Sequence, residues 1–152
     1  MAAEFSYNDV QTVAFGGNAQ LNNSISCPCG LVFQDDGTGI IALSGVVDSP
    51  CKRYAQYKIT AQGNIAIPTG GTVGPIAVAF AMNGGEIQAA KSIATPAAVE
   101  EFWPFAITKI VTVRRGFTPT FVIKNVLPGV DPATEVGQAI LMTNLNVTVE
   151  KL

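Results

Sequence analysis

An all-β sandwich of jelly-roll type is the fold class this sequence predicts, and three observations carry it. About eight to ten short runs alternate apolar and polar residues with the period of two that a half-buried strand requires. Gly, Pro, Asn and Asp cluster between those runs at fairly regular spacing, as turns between strands do. No stretch sustains a helical period.

The chain is organised around Gly63–Phe80, GNIAIPTGGTVGPIAVAF. Ile65 and Ile67 alternate with Asn64 and Ala66, a turn cluster from Pro68 to Pro75 interrupts, and Ile76, Val78, Phe80 and Met82 resume on one face. Two neighbouring strands joined as a hairpin are expected, with Gly70-Gly71 in the turn. The second strand shows only Ala77, Ala79 and Ala81 on its other face, so another sheet or another chain is expected to approach closely there.

From the start of the chain, residues 1–9 are expected to be an arm and residues 10–152 the sandwich domain. Val10–Phe15 and Leu21–Ser26 form short strands around Gly16-Gly17-Asn18. Leu31–Phe33 and Gly39–Val47 form a hairpin across Asp35-Asp36-Gly37, because Asp tolerates positive φ and Gly adopts it freely. Arg53–Thr60 alternates cleanly, Ala55, Tyr57 and Ile59 against Tyr54, Gln56 and Lys58.

Asn83-Gly84-Gly85 is a hairpin turn leading from Ile76–Met82 into Glu86–Ile93. Thr95–Glu101 is a loop, too short for a stable helix. Phe102–Arg115 is a long strand with a bulge expected near Thr108, where Lys109 interrupts the apolar face, and Pro104 places it late or at an edge. Phe117–Val126 follows. Gln138–Glu150 is the cleanest alternation, Ala139, Leu141, Thr143, Leu145, Val147 and Val149 on one side, and is expected to be central.

Composition narrows the function. The 152 residues weigh 15.9 kDa, enough for one core. Charged residues make up 13% and hydrophobic residues 48%, with mean hydropathy +0.34, against roughly 25% charged in an average soluble domain. No run reaches the ~18 apolar residues of a membrane span, so burial between subunits is expected and membrane insertion is not. Net charge is −2 and the basic residues are scattered in sequence apart from Arg114-Arg115 and Lys52-Arg53, which argues against direct nucleic-acid binding. MAAEFSYNDV lacks the basic and apolar regions of a secretory signal, so folding in a cytoplasm is expected.

The chemistry-bearing residues give no catalytic constellation. There is no histidine, no GxSxG elbow and no phosphate-binding loop, so no enzyme activity and no cofactor are expected. Cys27, Cys29 and Cys51 are read as free thiols, since a metal would need a ligand from outside the three cysteines. Asp35, Asp36 and Asp48 initiate turns or, if their loops met, would hold calcium. Phe102, Trp103 and Phe105 are either a sugar-stacking platform or core and subunit contacts. Arg114 and Arg115 are either solvated or clasp a neighbouring subunit's carboxylate.

Several of these stretches together resemble the TNF-like and C1q-like jelly rolls, in their compact bacterial and bacteriophage versions. They are GNIAIPTGGTVGPIAVAFAMNGG from Gly63 to Gly85, the preceding Arg53-Tyr54 strand, the Thr95-Pro96-Ala97 loop, and Val113-Arg114-Arg115-Gly116 before a strand. The resemblance spans roughly Val10 to Val149 and is one of strands and turns. It implies about ten strands in two sheets, terminal strands paired centrally in the inner sheet, and a homotrimer packed around those inner sheets. Tyr54, Gln56 and part of the final strand are then expected near the axis.

The expected role is a trimeric virion structural protein, a capsid decoration or accessory head or tail protein of a bacteriophage, assembled in the host cytoplasm onto other virion proteins. Docking is expected through the arm that carries Phe5 and Tyr7, with Tyr54, Gln56, Arg114 and Arg115 as further partner-binding residues. The alternative is a receptor- or glycan-binding head module of a phage fibre or bacterial surface protein.

Overall fold

In the computed structural model the described residues are 2–25, 32–34, 39–45, 47, 50–130, 133 and 135–152. They form eleven strands: β1 (Ala2–Tyr7), β2 (Gln11–Val13), β3 (Asn23–Ile25), β4 (Val32–Gln34), β5 (Ile41–Leu43), β6 (Tyr54–Ala66), β7 (Ile76–Met82), β8 (Gly85–Ala94), β9 (Trp103–Arg114), β10 (Thr120–Val126) and β11 (Ile140–Lys151). One sheet runs β3-β1-β11-β6-β9, with β2 also on β11, and the other runs β4-β5-β10-β7-β8. Every pairing is antiparallel.

Alternation explains what lies between the sheets. Ala55, Tyr57, Ile59 and Ala61 of β6, Phe105, Ile107, Val111 and Val113 of β9, and Leu145, Val147 and Val149 of β11 are buried from the first sheet. They meet Val78 and Phe80 of β7, Leu43 of β5, and Phe121 and Ile123 of β10 in one cluster. Phe80 and Phe121 pack edge to face, with centroids 5.8 Å apart and planes at 84°, an arrangement that the ring quadrupole favours. Buried Asn125 joins the layers, its amide donating to Val13 O at 3.1 Å and Gln138 O at 2.8 Å.

Four expectations need correction. Residues 2–7 are not an arm: Ala3 and Phe5 alternate inward against Glu4, so the segment adds to β11 in register from Ala2↔Glu150 to Tyr7↔Leu145. β6 and β7 are not a hairpin. They lie in opposite sheets, and residues 67–75 cross from one layer to the other around a turn in which Gly71 N donates to Pro68 O. The bulge expected near Thr108 is absent, since β6 and β9 stay in register from Tyr54↔Arg114 to Ile65↔Trp103. Lys109 is tolerated facing inward because β9 is an edge strand and the side chain stays partly exposed, its stem inside and its ammonium free to reach water.

The fourth correction concerns β11. Its register on β6 shifts between Thr143 and Asn146, and Asn144 adopts φ 55°. The extra residue flips the phase, so Ile140 and Met142 are buried before the shift, and Leu145, Val147 and Val149 after it. Gly63 sits opposite, where a Cβ would come 3.0 Å from Phe105 Cε1 and 3.1 Å from Thr143 O. β11 nevertheless lies inside its sheet between β1 and β6, and the β7–β8 hairpin turns at Asn83 (φ 49°) and Gly84 (φ 84°) as their sequence predicts.

Candidate interaction surface

The outward face of β7 is closed by the chain itself. Ala77, Ala79 and Ala81 are all fully buried, and Ala77 and Ala79 form a small cluster with Val126. Register explains this: Ala79 lies between Lys91 of β8 and Lys124 of β10, and Ala77 between Ile93 and Val126. Long side chains on flanking strands lie over short ones, and the lysine heads are held at their ends. Lys91 Nζ lies 2.6 Å from Glu86 Oε1 and donates to Leu127 O at 3.0 Å, and Lys124 Nζ donates to Gly84 O at 3.4 Å. The partner expected over the alanines is therefore this chain's own side chains.

The outward face of the β3-β1-β11-β6-β9 sheet is open. Tyr54, Gln56, Lys58 and Gln62 of β6, and Ala106, Thr108, Ile110 and Thr112 of β9, all point away from the core and are exposed. Tyr54 and Ile110 expose 55% and 54% of their area, which puts apolar surface on a face whose other members are mostly uncharged. Within it lies a depression of about 520 Å³ lined by Gln62, Gly63, Asn64, Pro104, Phe105, Ala106 and Asn144. The β11 bulge shapes it: Asn144, left-handed at the bulge, stands on the outward side, while Gly63 across from it has no side chain and so lets Phe105 and Thr143 O pack closely beneath.

The partner-binding residues named from sequence separate into three groups. Tyr54, Gln56, Arg114 and Arg115 gather at one end of the open face, where Tyr54 pairs with Arg114 and Arg115 N donates to Arg53 O at 2.8 Å. Tyr7 is partly buried against the core, at the other end of β1. Phe5, with 1% exposure, is a core residue and no docking contact, because its position in β1 turns it towards the second sheet.

Of the aromatic trio, Phe105 is core, while Phe102 and Trp103 expose 40% and 43% at the opposite end of the sandwich. Trp103 Nε1 donates to Glu101 Oε1 at 2.7 Å. Glu100, exposed in its loop, ties two loops, its N–H donating to Ile67 O at 2.7 Å and its carboxylate accepting from Thr69 Oγ1 at 2.8 Å. Cys51 is exposed; Cys27, Cys29, Asp35, Asp36 and Asp48 lie outside the described residues. No group of three or more potential metal ligands converges among the described residues.

Two sheets of this order, with the terminal strands β1 and β11 paired at the centre of one, define the architecture. A TNF structure from S. frugiperda, the protein Eiger, superposes with TM-score 0.66 at 10% identity, covering 100% of this chain and 92% of its own. The fold is that of the TNF-like jelly roll. The globular domain of a zebrafish complement 1qA protein also matches, with TM-score 0.47 at 10% identity over 96% of this chain and 94% of its own. No protein-family model and no curated protein sequence matches the chain.

What the sequence missed in this TNF-like fold is the gathering of charge. Lys52-Arg53, Arg114-Arg115 and Lys151 come from three segments remote in sequence, yet the register of β6 on β9 and β11 brings them to one end. The only signal was that the first two precede a strand, and the others end strands that pair with it. Between them Tyr57, fully buried, donates its hydroxyl to Ser44 O at 2.6 Å, and burial pushes its pKa above the ordinary phenol value.

Proposed function

We propose that the protein is a homotrimeric, non-enzymatic assembly module whose subunits meet on the open face of the β3-β1-β11-β6-β9 sheet, and that it serves as a virion structural protein. The observation that carries the reading is the contrast between faces: alanines sealed by the chain's own lysines on one side, exposed Tyr54 and Ile110 in a charge-poor field on the other. Interfaces are depleted of charge at their centres and enriched in aromatic residues, and this face has that composition. The TNF-like fold supports the trimer by likeness of architecture.

The finer role is a capsid decoration or accessory head or tail component of a bacteriophage, assembled in the host cytoplasm. Docking runs through one end of the trimer rather than through a free arm, because β1 is built into the sheet. Sedimenting purified protein with undecorated particles tests it: saturable co-sedimentation supports the role, and its absence with every head and tail particle removes it.

A second reading has its own observation. Three carboxamides, Gln62, Asn64 and Asn144, converge on the 520 Å³ depression, and an array of uncharged donors and acceptors suits a sugar. This favours a receptor- or glycan-binding head. Saturable binding of a neutral oligosaccharide, lost in Asn64→Ala, would establish it over the virion role.

A further inference from the structure

Five of the nine basic residues, Lys52, Arg53, Arg114, Arg115 and Lys151, collect at the end of the sandwich where β6 begins and β9 and β11 finish. Arg53, Arg114 and Arg115 are exposed. Arg115 is positioned by Nη1 donating to Pro50 O at 2.9 Å, and Arg114 stands 5.7 Å over the Phe117 ring, so both guanidiniums are partly pre-oriented. Glu150 of β11, in register with Lys58, and Glu4 of β1 are acids on the same sheet, and Asp48 lies outside the described residues. The opposite end carries Glu100 and Glu101.

Apolar surface is interleaved with these cations. Tyr54, Phe117 and Leu152 expose 55%, 58% and 58% of their area. Two depressions flank the patch, one of about 190 Å³ between Lys52, Tyr54, Gln56 and Lys151, the other of about 400 Å³ between Ser44, Arg115 and Phe117. Each suits a side chain rather than a duplex groove.

We propose that this end docks an acidic segment of a partner protein, with Arg53, Arg114 and Arg115 binding its carboxylates and Phe117, which lies under Arg114, packing between them. Guanidinium groups take carboxylates in bidentate pairs, and arginine with aromatic residues is the composition of interface hot spots. Five basic residues gathered at one end make a compact patch rather than a stripe that tracks a nucleic-acid backbone, and a short acidic peptide needs only such a patch. The partner's existence rests on the assembly role proposed above, and its chemistry rests on the patch.

A fluorescent 20-residue poly-glutamate peptide, titrated with the full-length protein and read by anisotropy, tests the proposal, with a 20-nucleotide oligothymidine beside it. The peptide binds saturably in 20 mM salt and weakens by about tenfold or more in 200 mM, because exposed charges are screened within roughly 10 Å at 0.1 M. Arg53→Glu with Arg114→Glu weakens it by about tenfold or more, and so does the milder Arg53→Ala with Arg114→Gln, while Glu101→Gln at the far end leaves it unchanged. No saturable peptide binding, indifference to both arginine pairs in folded protein, or tighter binding of the oligothymidine would overturn it. Light scattering on the same samples separates the two readings: a trimer that ignores the peptide rejects the docking surface alone, and a monomer that binds it rejects the trimer alone.

Discussion

The two outward faces of the sandwich use the same strand periodicity to opposite ends. On β7 the outward residues are alanines, and Lys91 and Lys124 in register on both sides leave Ala79 with no exposed area. On β6 and β9 the outward residues, Ala106 apart, are long or branched and stand beside one another, Tyr54 by Arg114 and Lys58 by Ile110, and they remain exposed. Small residues between long ones close a sheet from within a single chain, whereas long residues side by side leave a surface for another chain. An alanine row alone does not mark an interface; the strands beside it decide.

The largest effect expected lies beneath the open face. Deleting residues 1–9 removes β1, strips β11 of a neighbour and empties the positions of Ala3 and Phe5, so the truncated chain should show no cooperative thermal transition. Phe5→Ala alone should cost about 3–5 kcal/mol in denaturant melts. A truncated protein that melts like the full chain would return these residues to a dispensable arm.

Beneath the closed face, Val78→Asp places an unpaired carboxylate in the core and should cost several kcal/mol, a large part of a typical 5–15 kcal/mol stability. On the closed face itself, Ala79→Trp should cost roughly 1–3 kcal/mol by overpacking between Lys91 and Lys124, with the oligomeric state unchanged. Loss of assembly without loss of subunit stability in that variant would reverse the assignment of the two faces.

The smallest effect sits at the end of the open sheet. Tyr57 is neutral when folded and has its pKa raised by burial, so folding disfavours its ionisation. Stability from this group is complete below the ordinary value of 10.0 and falls as pH rises through the folded value. Tyr57→Phe should lose the bond to Ser44 O, costing about 0.5–1.5 kcal/mol at pH 7, and should flatten the fall in stability expected in melts as pH rises above 10.0.

Most strands were legible because period-two alternation survives wherever one face is buried, as in Arg53–Thr60, and because Asn83-Gly84 has the chemistry its turn demands. Three features were not, each for a physical reason. β11 carries apolar residues in both phases, so Ile140 and Leu141 read equally well as inward, and the bulge that switches between them leaves no mark in the alternation. The crossover after Ala66 has the Gly and Pro of a hairpin, since a turn's residues fix local φ and not the sheet that receives the next strand. The basic end is written across three segments that only long-range pairing unites. Of the residues named for partner binding, Tyr54, Gln56, Arg114 and Arg115 are exposed, as alternation and strand-end position predict, though only the register brings them to one end; Phe5 is core because the short segment around it pairs as a strand.

Gel filtration coupled to light scattering, run on the wild type and on Tyr54→Asp with Ile110→Asp, tests most directly that the open face is the assembly face. The wild type should return about three times the 15.9 kDa chain mass, and the double variant about one chain mass, with subunit secondary structure retained. A wild type that elutes as a monomer at micromolar concentration, or a double variant that stays trimeric, would contradict it.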